Sequence, residues 1–224
     1  MATSPGATVE ELSVLDAWRP RPMQPRVERA IRSEEAFGLA TFGQLMERPD
    51  VVGLLEGTEK QEWSPMGTAL FRAFFLAEDL RSYRRFMGHQ ARLCSRPYKE
   101  IVTTESPRPT GILTAMLVPA VRNVHNAAAR TDAQTKLTHV GLALYRDRLK
   151  HGTFCDNLEQ LAERSELIVP IDPYNGEPFK FRRADDEVMI YSVGPNMKDD
   201  QGEPIDYSTR EGDLTFTVRS SSDD

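Results

Sequence analysis

Only two cysteines stand in this chain of 224 residues, Cys94 and Cys155, and neither belongs to a CxxC pair or a Cys/His ligand spacing. That excludes a zinc ribbon or finger, and it excludes the disulfide framework of a small secreted domain. Both read as small apolar side chains of a core. Long apolar runs are missing as well. The richest stretch, Gly111 to Ala120, is about half the length a membrane helix needs, and Pro119 interrupts it. Nor is there a surplus of positive charge. The 28 Lys and Arg face 34 Asp and Glu, for a net charge of −6. Phosphate binding needs a basic face, so a dedicated nucleic-acid binder is not expected. The opening MATSPGATVEELSVLDAW has no basic segment followed by an apolar one, so no Sec signal peptide is expected. Taken as it stands the chain is expected in the cytoplasm, and in the cell envelope if a leader precedes this reading frame.

What is present is helical texture first and β texture last. Hydrophobic residues at 39% and charged residues at 28% describe a soluble globular chain. It is long enough to bury a proper core as one large domain or two small ones. Residues 1–26 read as a flexible segment: a Ser/Pro/Gly/Thr-rich start, a short helix over Glu10 to Trp18, then a connector held extended by Pro20, Pro22 and Pro25. Residues 27–110 read as a helical region. Ala30, Ile31, Phe37, Leu39, Phe42, Leu45 and Met46 recur at three- and four-residue steps and predict a helix ending before Pro49. Residues 47–66, with Pro49, Gly53, Gly57 and Pro65, read as loop. Leu70, Phe71, Phe74, Phe75, Leu80, Tyr83, Phe86 and Met87 predict a second amphipathic helix with its aromatic stripe in the core. Its arginines Arg81, Arg84, Arg85 and Arg92 read as a solvated face. Residues 94–110, with Pro97, Pro107 and Pro109, read as loop.

The longest helix is expected from near Ile112, bending or restarting at Pro119, to His151. Its seam is Leu117, Val121, Val124, Ala128, Ala133, Leu137, Val140 and Leu144. Gly152 is placed to close it. Asp156 or Asn157 caps a short helix over Leu158 to Arg164. After Pro170 the texture changes. Asp172-Pro173-Tyr174-Asn175-Gly176 is turn chemistry, with Asp172 in an Asx-turn. Phe179 to Arg183, Val188 to Val193 and Leu214 to Val218 alternate as short strands. A long Gly/Asp/Pro loop fills 194–212, and the tail Ser220 to Asp224 is expected to be disordered. The fold class is therefore α+β: a helical N-terminal half, then a module over 111–219 in which a long spine helix backs a small antiparallel sheet.

The phrases LALYRDRLKHGTFCDNLEQL, VPIDPYNGEPFKFRR, VMIYSVGPNMKDDQG and GDLTFTV follow that spine helix in order. Together they resemble the soluble part of type II secretion major pseudopilins, over roughly 120–218. Over 27–218 the chain also resembles the C-terminal region of uncharacterised planctomycete-type bacterial proteins. Phe154-Cys155 stands where pseudopilins carry Tyr-Pro, and the leader, apolar membrane helix and early glutamate of that family have no counterpart here. The resemblance implies a calcium ion in the C-terminal loop, near Asn196, Asp199, Asp200 and Asp213. A long loop between two strands needs something to order it, and calcium takes several hard oxygens from a flexible loop. The spacing is not DxDxDG and Lys198 lies within the cluster, so the plainer reading is a solvated Asp/Gly loop.

Elsewhere the motifs are structural. His125, His139 and His151 share one helix but lie more than about 15 Å apart at a rise of about 1.5 Å per residue, so they cannot share a metal. No GxSxG elbow, P-loop, GxGxxG or HExxH occurs. Glu34 with Glu35, and Asp185 with Asp186 and Glu187, read as solvated faces. No catalytic residue is assigned. The sequence predicts a non-enzymatic structural or interaction protein, envelope- or secretion-associated in the manner of pseudopilins. Its partner is another protein or a second copy, through an apolar stripe on the 66–88 helix or the 112–128 segment. The alternative is a hydrolase or transferase with an unrecognised site between the helical half and the β-module.

Overall fold

The structure, a computed structural model, describes residues 23–47, 64–184 and 187–219. The helix expected over Glu10 to Trp18, the prolines at 20 and 22, most of the 47–66 loop, Asp185, Asp186 and the acidic tail lie outside the described residues. The elements run α1 (Gln24–Glu47), α2 (Pro65–Leu70), a π-helical turn (Phe71–Leu76), α3 (Ala77–Leu93), α4 (Tyr98–Thr103), α5 (Ile112–His151), α6 (Leu158–Ser165), β1 (Lys180–Arg183), β2 (Glu187–Ser192) and β3 (Leu214–Arg219). The class is α+β, helices first and a three-stranded sheet last. Among the described residues no helix is long and apolar enough to cross a membrane. The described parts of Met23–Arg96 and Glu100–Ala127 form one compact unit, and those of Pro97–Lys99 and Ala128–Asp224 form the other.

In the helical unit Val27, Ile31, Phe42 and Leu45 of α1 are buried. Their spacing is that of one helix face. Phe42 packs on Tyr83 with ring centroids 5.4 Å apart, and the Tyr83 hydroxyl donates to the Glu34 carbonyl at 2.7 Å. Burial, with Glu35 and Glu34 nearby, pushes the Tyr83 phenol up to about 12. Pro25 lies inside α1 rather than in an extended connector. In the first turn its missing N–H costs no intrahelical bond, and the same holds for Pro65 at the start of α2. The face of α3 that carries Tyr83, Phe86 and Met87 also carries buried polar groups. Asp79 accepts from the Thr114 amide at 3.0 Å, Ser82 Oγ from the Thr110 amide at 3.0 Å, and Gln90 Oε1 lies 3.0 Å from His125 Nε2. These side chains fasten the 104–114 segment along the helix.

Four expectations are corrected here. Phe37 and Met46 sit on the seam expected for α1 but are 66% and 46% exposed. Leu70, Phe74 and Phe75, assigned to a core stripe, are 51%, 68% and 69% exposed, and the buried row starts only at Leu76. The cause is the π turn. Leu70 precedes that turn and Phe74 and Phe75 lie within it; its wider winding shifts their phase relative to α3, so a count at constant helical phase carries the stripe to the wrong side. Finally α4 interrupts the loop expected over 94–110, and α5 runs through Pro119 without a break in assignment.

In the sheet unit the seam of α5 is as the periodicity requires: Ala133, Leu137, Val140 and Leu144 are buried. They join Phe154, Cys155, Leu158, Leu161, Val188, Ile190, Leu214 and Val218 in one apolar cluster, with Phe216 against it. The strand order is β1-β2-β3, all antiparallel, pairing Phe181 with Ile190 and Ile190 with Phe216. Gly152 closes α5 with a φ of 77° and donates to the Arg148 carbonyl at 2.7 Å. Asn157 caps α6 by accepting from the Gln160 amide at 2.8 Å, and the Gln160 side chain reaches back to the Asp156 amide at 2.7 Å.

Gly141 lies on the face of α5 beneath β3, and a Cβ there would overlap the Phe216 ring. An alanine normally strengthens a helix by about 1 kcal/mol over glycine. Here the ring must move, and Gly141→Ala should instead lower stability by about 1–3 kcal/mol in urea unfolding. A midpoint equal to or above wild type would contradict this packing.

Candidate functional site

The polar chemistry of the sheet unit gathers where β2 leaves the sheet and β3 re-enters it. Between them the chain turns repeatedly through left-handed positions, at Gly194, Met197, Gln201, Gly202, Arg210 and Gly212. At Gly212 φ is 94°, and a side chain would also press on the Pro204 carbonyl, so glycine is needed there twice over. Backbone bonds close the loop on itself. The Asp213 amide donates to the Glu203 carbonyl at 2.7 Å, the Ile205 amide to the Asp213 carbonyl at 2.9 Å, and the Asp206 amide to the Glu211 carbonyl at 2.8 Å.

Three of the four residues expected to hold calcium come together. Asp213 is fully buried, and its carboxylate accepts from the Gly202 amide at 2.7 Å and the Asp200 amide at 3.4 Å. The Asp200 carboxylate accepts from the Gly212 amide at 3.1 Å and from the Asn196 side-chain amide at 2.8 Å. The same Asn196 nitrogen reaches Glu211 at 2.9 Å, a member of the cluster that the sequence did not single out. Asp199 turns aside, accepting from the Tyr191 hydroxyl at 3.2 Å and the Gln201 amide at 3.0 Å. Burial holds the Asp213 carboxyl above the usual range, the two amides pull it back, and Asp200 and Asp199 push it up again. Burial and Asp199 lift the Tyr191 phenol to about 12. Among the described residues no group of three or more His, Cys, Asp or Glu side chains is arranged to hold a metal ion. Amide donors within the loop order it in this arrangement.

Asp172 forms the Asx-turn read from the sequence, accepting from the Tyr174 amide at 2.9 Å. Its larger task was not legible. Almost wholly buried, it also accepts from the Ser192 hydroxyl at 2.9 Å and the Val193 amide at 3.0 Å, twenty residues downstream. One carboxylate thus ties the 172–176 turn to the end of β2. Nothing local in the sequence marks that link.

A groove of about 420 Å³ runs beside β3, walled by Gln134, Leu137 and Thr138 of α5, by Ile205 and Tyr207, and by Leu214 and Phe216. At the Tyr207 end the Arg130 guanidinium lies over the tyrosine ring, 5.5 Å from its centroid. In the helical unit Phe37, Met46 and Val102 are exposed singly, and Met66, Leu70, Phe74 and Phe75 are exposed along one segment, with Phe75 stacked on Phe71 at 6.3 Å. His89 and His139 are half-buried, His125 is buried against Gln90, and His151 is exposed at the end of α5. Both cysteines are buried and unbridged.

Comparison with protein-family models, with curated proteins and with solved structures finds no match to this chain.

Burial lifts the Asp172 carboxyl above its ordinary value of 3.8, against the pull of its three donors. A carboxyl with a raised folded pKa contributes stability that is fully present below 3.8 and is lost as pH rises through the folded value. The stability of wild type relative to Asp172→Asn should therefore decline as pH is raised from 4 to 7 in urea unfolding. A difference that grows with pH would contradict the assignment. Asp172→Ala, which strands two buried amides, should cost about 1–3 kcal/mol at either pH.

Proposed function

We propose that this chain is a non-enzymatic interaction protein built on a pseudopilin-like C-terminal module. In this reading the buried carboxylates shape loops and the work is done by exposed surfaces. The observation that carries it is the row Met66, Leu70, Phe74 and Phe75, between 51% and 74% exposed on consecutive turns. Single exposed apolar residues are ordinary, whereas a group of large apolar side chains exposed along one short segment marks a contact surface. Met66 and Leu70 lie on α2, and Phe74 and Phe75 on the π turn that continues it. A seam on one helix can pair with the same seam of a second copy across a two-fold axis, the commonest symmetry of soluble oligomers. The module reading draws support from the long helix, from the three antiparallel strands, and from the self-closing loop between β2 and β3, in the order that the pseudopilin resemblance implies.

Sedimentation velocity over a concentration series tests the surface. Wild type should self-associate, and Phe74→Glu combined with Phe75→Glu should weaken association at least tenfold without moving the melting temperature. A wild type that stays monomeric at all concentrations would overturn the reading.

Calcium belongs to the same proposal. Asp199, Asp200 and Asp213 lie in one loop, and the first two raise the cost of ionising Asp213. A divalent cation would relieve that cost through carboxylate and amide oxygens of Asn196, Asp199, Asp200 and Asp213. Calcium should raise the wild-type melting temperature over that in chelator. Asp200→Asn keeps an acceptor for Gly212 and should abolish the increment. Equal melting of wild type in calcium and chelator would remove the ion from the account.

A further inference from the structure

β3 is the last strand of its sheet, and its outer edge is only partly covered. The Asp213 amide and carbonyl point away from β2, since they bond Glu203 and Ile205. Backbone groups alternate along a strand, so those of Thr215 and Thr217 point the same way, while Leu214, Phe216 and Val218 face β2. Among the described residues the outward amides and carbonyls of Thr215 and Thr217 have no backbone partner. From Leu214 to Val218, short of the terminal Arg219, β3 has no proline, no charge and no glycine bulge to guard the edge. The edge already accepts extended chain at its start, where Pro204 bridges Asp213 in parallel. Beyond that point it opens onto the groove walled by Leu137, Ile205, Leu214 and Phe216.

We propose that this edge and groove bind an extended peptide of another protein, which adds to the sheet as a fourth strand. The outward amides and carbonyls supply main-chain hydrogen bonds, and the apolar wall takes alternate side chains of the added strand. Charge sets the chemistry at one end. Asp213, the carboxylate lining the groove, is buried and turned to backbone amides. Arg130 lies one helical turn before Gln134, is exposed, and sits over the Tyr207 ring at the groove's mouth. The peptide that fits has apolar residues at alternate positions and an acidic residue where it passes Tyr207. A second copy fits less well, because its own Phe216 is already packed over Gly141 and is not free to enter the groove. This site goes beyond the helical seam proposed above and does not depend on it.

The probe is a phage-displayed random dodecapeptide library panned against the full chain, followed by fluorescence anisotropy of the enriched peptides. Enriched peptides should alternate apolar residues and carry an acidic one. Thr217→Pro removes an outward amide and spares the ladder to β2, and it should lower their affinity at least tenfold. Arg130→Glu reverses an exposed charge and gives up its contact with the Tyr207 ring. It should weaken binding of the acidic peptides and favour their Lys-substituted counterparts, which tests the site even if the proline variant folds poorly. The variant with Phe74 and Phe75 replaced by Glu should bind the peptides as wild type does. Three results would overturn the proposal: no enrichment, enriched peptides indifferent to both Thr217→Pro and Arg130→Glu, or a wild-type dimer that Thr217→Pro dissociates.

Discussion

A three-stranded sheet holds together in water only when its apolar face is covered, and here the cover is one stripe of α5. Ala133, Leu137, Val140 and Leu144 lie against Val188, Ile190, Leu214 and Val218. Removing a Leu or Val side chain of this size from water is worth about 1.5–3 kcal/mol, so the stripe outweighs any single polar contact in the unit. The fit is close enough that α5 carries glycine where Phe216 crosses it. Everything else in the sheet unit follows from the need to keep the strands on that stripe. Asp172 anchors the end of β2 and Asp213 anchors the start of β3. Each is buried at a cost that is met by backbone amides, which fixes where the connecting loop must run.

The same economy explains which chemistry these carboxylates are free to do. A carboxylate that accepts two or three amides is held in place and is poorly suited to moving protons, since its oxygens are already engaged. Asp172, Asp200 and Asp213 are all of this kind. Among the described residues the groups left with unused capacity are of another sort: the outward backbone of β3, the groove walls, and the exposed apolar side chains before α3. These are the features on which the proposed contact function rests.

Much of this architecture was legible in the sequence because it is local. Periodicity at three and four residues gave the buried stripe of α5, alternation gave β2 and β3 to within a residue, and Gly152 and Asn157 announced their caps. The failures have physical causes. Phe74 and Phe75 were placed inside because they lie within a π turn whose winding departs from the helical phase of Tyr83, and nothing in FRAFFL signals it. Helix α4 hid among the prolines of 94–110. Asn196, Asp200 and Asp213 share one loop neighbourhood, but the two carboxylates are held there by backbone amides and by the Asn196 side chain, and backbone partners leave no mark in a sequence. Asp172 was recognised as a turn residue and not as the link to Ser192 and Val193. A contact across twenty residues leaves no local trace.

Native-state amide exchange along β3 tests the central arrangement most directly. If β3 lies on α5, bonded to β2 on one side and open on the other, Phe216 and Val218 amides will be strongly protected. Those of Thr215 and Thr217 will then exchange orders of magnitude faster. Uniform protection from 214 to 218, or uniform exposure, would contradict a sheet packed on this helix with a free outer edge.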